Sequence, residues 1–305
     1  MNKVTPRVAL LLTVPPLLWA GNAIVGRALA TSMPPLLLNC VRWWLALALL
    51  LPLGWRALGT PERRAQVLAR WKPLALLGLL GVGSYNALQY LALQTSTPIN
   101  VTLIAASTPL WMLLVGAVGY GVKPRAMQGL GALVSLAGVL VVLSRGQWSQ
   151  LGAIHLVPGD AWILLAAFAW AIYSWQLAKP PPSMAGAERP AWNWAEFILL
   201  QTVFGLVFAS AAAAGEAATS SHAMRWTPLL PWALAYVAIG PSILAYRAWG
   251  LGVAAAGPSV AAFFSNLTPL FAAVGSAALL GEAPQPYHAL AFALIVAGIW
   301  TSSRP

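Results

Sequence analysis

Apolar stretches, separated by short polar or proline-rich links, follow one another along the whole chain. A helix needs about 20 apolar residues to cross a bilayer. Strands of a membrane barrel would alternate apolar and polar residues, whereas these stretches are apolar throughout. The pattern therefore predicts an all-α integral membrane protein with ten transmembrane helices, at approximately 8–29, 34–54, 73–93, 99–119, 126–143, 159–178, 192–214, 228–248, 258–279 and 286–302.

The composition supports a membrane protein, since the chain is 60% hydrophobic and 8% charged, whereas soluble domains have about 25% charged residues. We expect no nucleic-acid partner despite the net charge of +11, because aromatic residues are not interleaved with Lys and Arg. The first apolar run, 8–30, is long for a cleaved signal peptide, so we expect it to remain as a span. The single cysteine, Cys40, excludes a disulfide framework.

The basic residues are unevenly divided between the two sides of the membrane. With ten spans both termini lie on one side, and that side collects thirteen of the 17 Lys and Arg residues, against three on the other and Arg42 within a span. Cytoplasmic loops retain Lys and Arg. The distribution predicts cytoplasmic termini.

An internal repeat relates the two halves of the chain. The stretch LIAASTPLWMLL at 103–114 recurs as FFSNLTPLFAAV at 263–274, and at the same offset of 160 residues 85–144 match 245–304 at eleven positions. The matches include Pro98 with Pro258, and both copies keep a Thr-Pro-Leu sequence. Spans three to five therefore correspond to spans eight to ten.

Each half holds five spans, and because five is odd the halves should enter the membrane in opposite directions. Inverted repeats of this kind occur in secondary transporters, which bind substrate between the repeats near the bilayer midplane. We expect residues 1–148 and 149–305 to form the two repeats of one membrane domain around a central cavity. Pro109 and Pro269 would act as structural hinges, bending a helix in each half to shape the cavity; alternatively they only kink packed helices.

Short motifs in order along the chain add a family resemblance. They are WAGN at 19–22, Arg42-Trp43, WA at 170–171, Gly281-Glu282 and the paired Thr-Pro-Leu sequences. The chain resembles the drug/metabolite transporter superfamily in its ten-span EamA branch, and within it the bacterial exporters of aromatic amino acids. The resemblance implies export of small metabolites across the bacterial inner membrane. It departs from the family where Gly121-Val122 replaces a first Gly-Glu pair.

Polar and aromatic residues within the spans are candidates for substrate binding, because polar groups facing lipid are costly. Tyr85, Asn86 and Gln89 share one face of span three, while Tyr90 points away and is expected to pack. The alternative is that these groups only bond neighbouring helices. The predicted substrate-binding residues are Trp19, Asn22, Tyr85, Asn86, Gln89, Ser107, Trp111, Trp170, Tyr173 and Asn266.

Arg42 is the only deep charge in the predicted spans and could bind a substrate carboxylate or pair with carbonyls. All six acidic residues lie in loops or near span ends. A proton-coupled antiporter usually keeps an ionisable residue deep in the membrane. The sequence thus favours facilitated export of aromatic and other neutral amino acids, with a proton-coupled exporter of drugs or other metabolites as the main alternative.

Nothing in the sequence indicates catalysis or a cofactor. His222 and His288 are isolated, so no metal-binding cluster is evident, and the His155–Asp160 pair is separated by Pro and Gly. A membrane-embedded enzyme or a passive channel is less well supported than a carrier. The expected partners are a small-molecule substrate and the lipid bilayer; a monomer is favoured, although the sequence does not fix the oligomeric state.

Overall fold

The computed structural model describes residues 4–96, 98–153, 157–220, 223–280 and 285–304. Regular structure within these ranges is helical, without a strand. The α-helices are α1 (Pro6–Leu29), α2 (Pro35–Gly54), α3 (Pro61–Ala69), α4 (Trp71–Leu77), α5 (Tyr85–Thr95), α6 (Pro98–Ala105), α7 (Thr108–Tyr120), α8 (Ala126–Leu143), α9 (Pro158–Ala178), α10 (Trp194–Thr219), α11 (Leu230–Val237), α12 (Ala245–Ala256), α13 (Pro258–Phe264), α14 (Leu267–Leu280) and α15 (Pro286–Ser302).

Eight helical segments of the described chain are long and apolar enough to cross a membrane. They are Pro6–Gly26, Pro35–Leu58, Trp71–Thr95, Ala126–Leu143, Pro158–Ala178, Trp194–Thr219, Leu230–Ala256 and Pro258–Gly275. Two shorter apolar helices, Thr108–Tyr120 and Pro286–Ser302, lie where two further spans are predicted. The prediction of an all-α membrane protein is confirmed, while the number of ten spans stays a prediction.

Two π-helical segments, which were not predicted from the sequence, interrupt long helices. The first π segment, Gly78–Ser84, joins α4 to α5, and the second π segment, Ala238–Leu244, joins α11 to α12. They lie 160 residues apart, the offset of the sequence repeat. A π turn widens the helix and shifts its backbone hydrogen bonds. Pro241, which has no N–H to donate, lies inside the second segment.

The Thr-Pro-Leu sequences do not bend continuous helices, so that expectation is wrong in its detail. A turn at Ala106-Ser107 separates α6 from α7, and a turn at 265–266 separates α13 from α14. Pro109 therefore lies in the first turn of α7, where a helix residue has no intrahelical partner for its N–H. Pro269 lies in the first turn of α14 in the same way. The helices tolerate these prolines because the N–H groups of the first turn have no intrahelical acceptor.

Helix contacts recur between equivalent elements of the two halves. Helix α1 packs against α12 and α14, while α9 packs against α5 and α7. Helix α2 contacts the second π segment, and α10 contacts the first. The buried core runs through these contacts, with Trp43 and Trp249 fully buried within it. The shared core joins both halves into one structural unit.

The beginning of α2 is capped by a residue distant in sequence. Pro34 and Pro35 provide no side-chain hydrogen bond at this helix end. Instead the Glu216 carboxylate of α10 accepts the backbone N–H groups of Leu36 and Leu37, at 3.2 and 2.8 Å. A carboxylate at a helix N-terminus accepts hydrogen bonds from the free N–H groups, and its negative charge interacts favourably with the positive end of the helix dipole. Glu216 therefore ties α10 to α2.

Candidate functional site

Six aromatic side chains form a buried cluster where α1, α5, α9 and α12 meet. The aromatic cluster consists of Trp19, Tyr85, Trp170, Tyr173, Tyr246 and Trp249. Trp170 is its centre, 3% exposed. Its ring centroid lies 5.2 Å from Trp19 and 4.9 Å from Tyr173, which stacks on it. Offset-stacked and edge-on rings at such distances attract each other beyond simple burial.

Carbonyl groups of the two π segments hold two of these rings. The Trp19 indole N–H donates to the Pro241 carbonyl at 3.3 Å, and the Tyr246 hydroxyl donates to the Gly81 carbonyl. Positions 81 and 241 are equivalent at the offset of 160. A π turn shifts the backbone hydrogen bonds by one residue, and in both segments a carbonyl of the shifted turn accepts a side-chain hydrogen bond at the equivalent position.

The amide cavity, of about 90 Å³, lies on one side of the aromatic cluster. The predicted substrate-binding residues that line it are Trp19, Asn22, Tyr85, Asn86, Gln89 and Trp170, and the predicted hinge Pro269 lines it as well. The wide cavity, of about 320 Å³, adjoins it, and Ala23, Gln89, Val101 and Thr102 line both. Ligand pockets commonly enclose 300–1,000 Å³. The two adjoining cavities together offer enough space for an amino acid.

The far cavity, of about 220 Å³, lies on the other side of the aromatic cluster. Tyr173 and Tyr246 of the cluster line it, together with Gln201, Trp194 and Arg247. The Tyr173 hydroxyl donates to Gln201 Oε1 at 3.0 Å. The Arg247 guanidinium lies over the Trp194 ring, 4.2 Å from its centroid. The aromatic cluster thus separates this cavity from the amide cavity.

Arg42 lies at the centre of a buried hydrogen-bond network and is 0% exposed. Its Nε and Nη2 donate to Ser242 Oγ, at 3.0 and 2.8 Å. Its Nη1 donates to Asn22 Oδ1 and to the Tyr90 hydroxyl, both at 3.2 Å. The Tyr90 hydroxyl donates in turn to Asn22 Oδ1, at 3.0 Å. These bonds satisfy the buried guanidinium with neutral groups.

Tyr90 packs as predicted, buried in a cluster with Leu38 and Val237, but it also has a polar role that was not predicted. Its hydroxyl belongs to the Arg42 network, and its side chain lines the wide cavity. Helix periodicity places Tyr90 opposite Asn86 and Gln89 but does not show that α1 and α2 lie on that side.

The structure separates three predicted site residues from the cavities. Ser107 lies in the turn before α7, where its hydroxyl donates to the Ile104 carbonyl. Trp111 donates to Ser107 and packs edge-on against Phe168, which is 38% exposed. Asn266 donates to Ser135 of α8 at 2.8 Å. These contacts fit helix packing, the alternative considered above. Glu282 lies outside the described residues.

Tyr246 and Trp249, both buried in the aromatic cluster, were not predicted from the sequence. Trp249 donates its indole N–H to Ser174 Oγ, at 3.1 Å. Adding the offset of 160 to Asn86 and Gln89 gives 246 and 249. Applying the repeat to the polar face of span three would have identified both residues. Ser242, which lies in the second π segment, had no comparable signal.

The EamA-like transporter family model matches the chain twice, over residues 6–144 and 157–304. These two matches cover most of the sequence. The chain belongs to the EamA-like transporter family. The resemblance noted from the short motifs is thereby confirmed, and the protein is a multi-pass membrane transporter.

Two relatives match this EamA-like transporter over most of its length, and a third matches over about half. A protein of Archaeoglobus fulgidus described as an uncharacterized transporter is 27% identical over 96% of each chain. The uncharacterized inner membrane transporter YedA of Escherichia coli is 27% identical over 92% of this chain and 85% of its own. The aromatic amino acid exporter YddG of Ancylobacter novellus is 28% identical over 52% of this chain and 53% of its own.

A solved crystal structure has the same fold. It superimposes with a TM-score of 0.72 over 96% of this chain and 95% of its own, at 24% sequence identity.

Among the described residues, no group of three or more His, Cys, Asp or Glu side chains is placed to hold a metal ion.

Proposed function

We propose that this transporter exports aromatic and other neutral amino acids across a bacterial cytoplasmic membrane by alternating access. The observation that carries the proposal is the position of the aromatic cluster between the amide cavity and the far cavity. A carrier needs a barrier of this kind between two half-channels, whereas a channel needs an open path. The similarity to the YddG exporter over half the chain supports aromatic amino acids as the substrate class.

The chemistry of the lining supports the same substrate class. Trp19 and Trp170 offer aromatic faces in the amide cavity, and Asn22, Asn86 and Gln89 offer amide groups beside them. A planar apolar side chain can stack on the rings while polar backbone groups bond the amides. Tyr85, which lines the amide cavity, and Tyr173, which lines the far cavity, complete the proposed contact set, and both rings contact Trp170.

We further propose ten spans in two inverted five-helix repeats, residues 1–148 and 149–305. Reciprocal packing supports this arrangement: Gly131 faces Gly298, and Gly138 faces Ala291. Positions 291 and 298 are the equivalents of 131 and 138 at the offset of 160, so α8 and α15 run antiparallel. A two-fold axis in the membrane plane produces such contacts.

In this topology both termini are cytoplasmic. The wide cavity, next to the α1–α2 link, then opens to the outside, and the far cavity, next to the α9–α10 link, opens to the cytoplasm. The turns before Pro109 and Pro269 are the proposed hinges, because a break between two short helices changes angle more easily than a continuous helix.

Facilitated transport is supported by the positions of the buried acidic groups. Glu196 lies in the first turn of α10, where it accepts the Asn193 N–H and pairs with Arg63 at 2.8 Å. Asp160 lies in the first turn of α9 and accepts the Val157 N–H. Both carboxylates cap helix ends and lie outside the cavity linings described above. A proton-coupled carrier would need an ionisable group that contacts the transport path.

A counterflow assay with purified protein in liposomes tests the proposal. Preloaded unlabelled phenylalanine or tryptophan should accelerate uptake of the labelled amino acid, with little change when a pH gradient is imposed. Uptake that is unaffected by preloading would indicate a channel, and uptake that needs the pH gradient would indicate proton coupling. The absence of uptake for the whole amino acid panel would contradict the substrate class.

A further inference from the structure

Arg42 fixes the orientation of the Asn22 side chain. A guanidinium has only donor groups, so the Asn22 atom 3.2 Å from Arg42 Nη1 must be the amide oxygen. The same oxygen accepts the Tyr90 hydroxyl at 3.0 Å, which occupies both of its lone pairs. The amide nitrogen of Asn22 therefore faces away from Arg42.

The orientation of the Asn22 amide in turn fixes the orientation of the Asn86 amide. Asn22 Nδ2 donates to Asn86 Oδ1 at 3.3 Å, so the oxygen of Asn86 faces Asn22 and its nitrogen is on the other side. Asn86 Nδ2 donates to no acceptor in the described part of the chain, although Asn86 is 3% exposed and lines the amide cavity. An amide N–H that lines a cavity and has no protein acceptor can donate to a ligand. The amide cavity can therefore receive a hydrogen-bond acceptor at this place.

The charge of Arg42 determines which acceptor fits best. Within the described ranges the ion pairs are Arg63 with Glu196 and Arg70 with Glu188, and Arg42 pairs with neither acid. A buried cation without a counterion favours an anion nearby. Arg42 is fully buried and is not among the lining residues of the amide cavity, so it acts on a ligand through Asn22.

We propose that the amide cavity contains a carboxylate-binding subsite, formed by the amide N–H groups of Asn22 and Asn86 and oriented by Arg42. This subsite deepens the proposed amino acid transport and rests on it. Trp19 and Trp170 line the same cavity, so one ligand can place its carboxylate on the amides and its ring against the indoles. Arg42 is a positioning residue, which replaces its predicted role as a direct carboxylate contact.

Binding measurements with the purified full-length protein test the subsite. L-Phenylalanine and L-phenylalaninamide, which lacks the carboxylate, are titrated while tryptophan fluorescence is followed. The wild type should bind phenylalanine at least about tenfold more tightly than the amide, since a charge-assisted hydrogen bond is lost in the amide. Equal binding of the two compounds would overturn the subsite alone. A wild type that binds neither would also overturn the amino acid substrate class.

Asn86→Asp is the decisive variant. Its carboxylate can still accept the Asn22 N–H, but it presents an anionic oxygen to the cavity where the amide nitrogen was. The preference for phenylalanine should fall by about 10- to 100-fold, because two carboxylates would repel each other. Asn193→Asp is the matched control: it makes the same substitution at the start of α10, outside the lining of the amide cavity, where the new carboxylate can still accept the backbone N–H groups of Ala195 and Glu196. The preference should stay within about threefold. Equal falls in both variants would overturn the subsite.

Two further variants separate positioning from folding. Arg42→Lys keeps the charge but cannot bond Ser242 and Asn22 together, so the preference for phenylalanine should fall several-fold even where the melting temperature is unchanged. If Asn86→Asp does not fold, Asn86→Ser removes both amide N–H groups without adding charge and should lower the preference by about tenfold. A preference unchanged in Arg42→Lys would contradict the positioning role, and one unchanged in Asn86→Ser would contradict the subsite.

Discussion

Replacing Gly131 with alanine should loosen the packing of α8 against α15. A Cβ atom at position 131 would lie 2.7 Å from the Gly298 carbonyl oxygen and 2.9 Å from the Ser302 backbone nitrogen. Both are backbone atoms of α15, so the clash cannot be relieved by a side-chain rotation and the helices must separate. Overpacking of this kind costs about 1–3 kcal/mol.

Gly129 provides a matched control two residues earlier on α8. A Cβ atom there would meet no atom within 4 Å. Both substitutions gain the same intrinsic helix preference of alanine over glycine, about 1 kcal/mol. The difference between the two variants therefore isolates the clash, and 1–3 kcal/mol corresponds to about a 5- to 150-fold difference in the folding equilibrium.

Thermal unfolding of the purified variants in detergent measures this difference. Gly131→Ala should melt several degrees below Gly129→Ala, at roughly 2–4 °C per kcal/mol, and Gly129→Ala should melt at or above the wild type. Gly298→Ala should behave like Gly131→Ala, because its Cβ would lie 2.7 Å from the Gly131 carbonyl oxygen. Equal melting temperatures for Gly131→Ala and Gly129→Ala would refute the close helix contact.

Three other predictions test the aromatic cluster, the cap of α2 and the topology. Trp170→Ala should destabilise the protein by about 3–5 kcal/mol in thermal unfolding and weaken phenylalanine transport several-fold more than threonine transport. Trp170→Phe should restore much of the stability and much of the phenylalanine transport. An equal loss of phenylalanine and threonine transport would indicate that Trp170 only braces the helices. Glu216→Ala should lower the melting temperature by the equivalent of about 1–3 kcal/mol, since two helix N–H groups lose their acceptor. Glu216→Gln keeps one acceptor oxygen and should therefore lose less stability. Equal melting temperatures of the two variants would contradict the cap. A cysteine introduced at Trp148 should react with an impermeant thiol reagent added outside cells, and cysteines within 60–70 should not; the reverse labelling would overturn the proposed orientation.

The transmembrane segments could be predicted because their signal is local. The last helix, Pro286–Ser302, was predicted within a residue, since an apolar run and the proline that begins a helix are visible in the sequence. Periodicity also found the face of Asn86 and Gln89 that lines the amide cavity. It failed for Trp111 and Asn266, because periodicity shows which residues share a face but not which neighbouring helix covers that face.

The sequence by itself determined the membrane class, the repeat and the family, since apolar length, repeated proline positions and short motifs do not depend on how distant segments meet. Only the tertiary structure decided the partners of Arg42. Its bond to Ser242 joins residues 200 positions apart. Trp19 and Tyr246 donate to carbonyl groups within π segments that the residue pattern did not reveal. Contacts between distant helices depend on packing and hydrogen-bond geometry, which a linear pattern of apolar and polar residues does not specify.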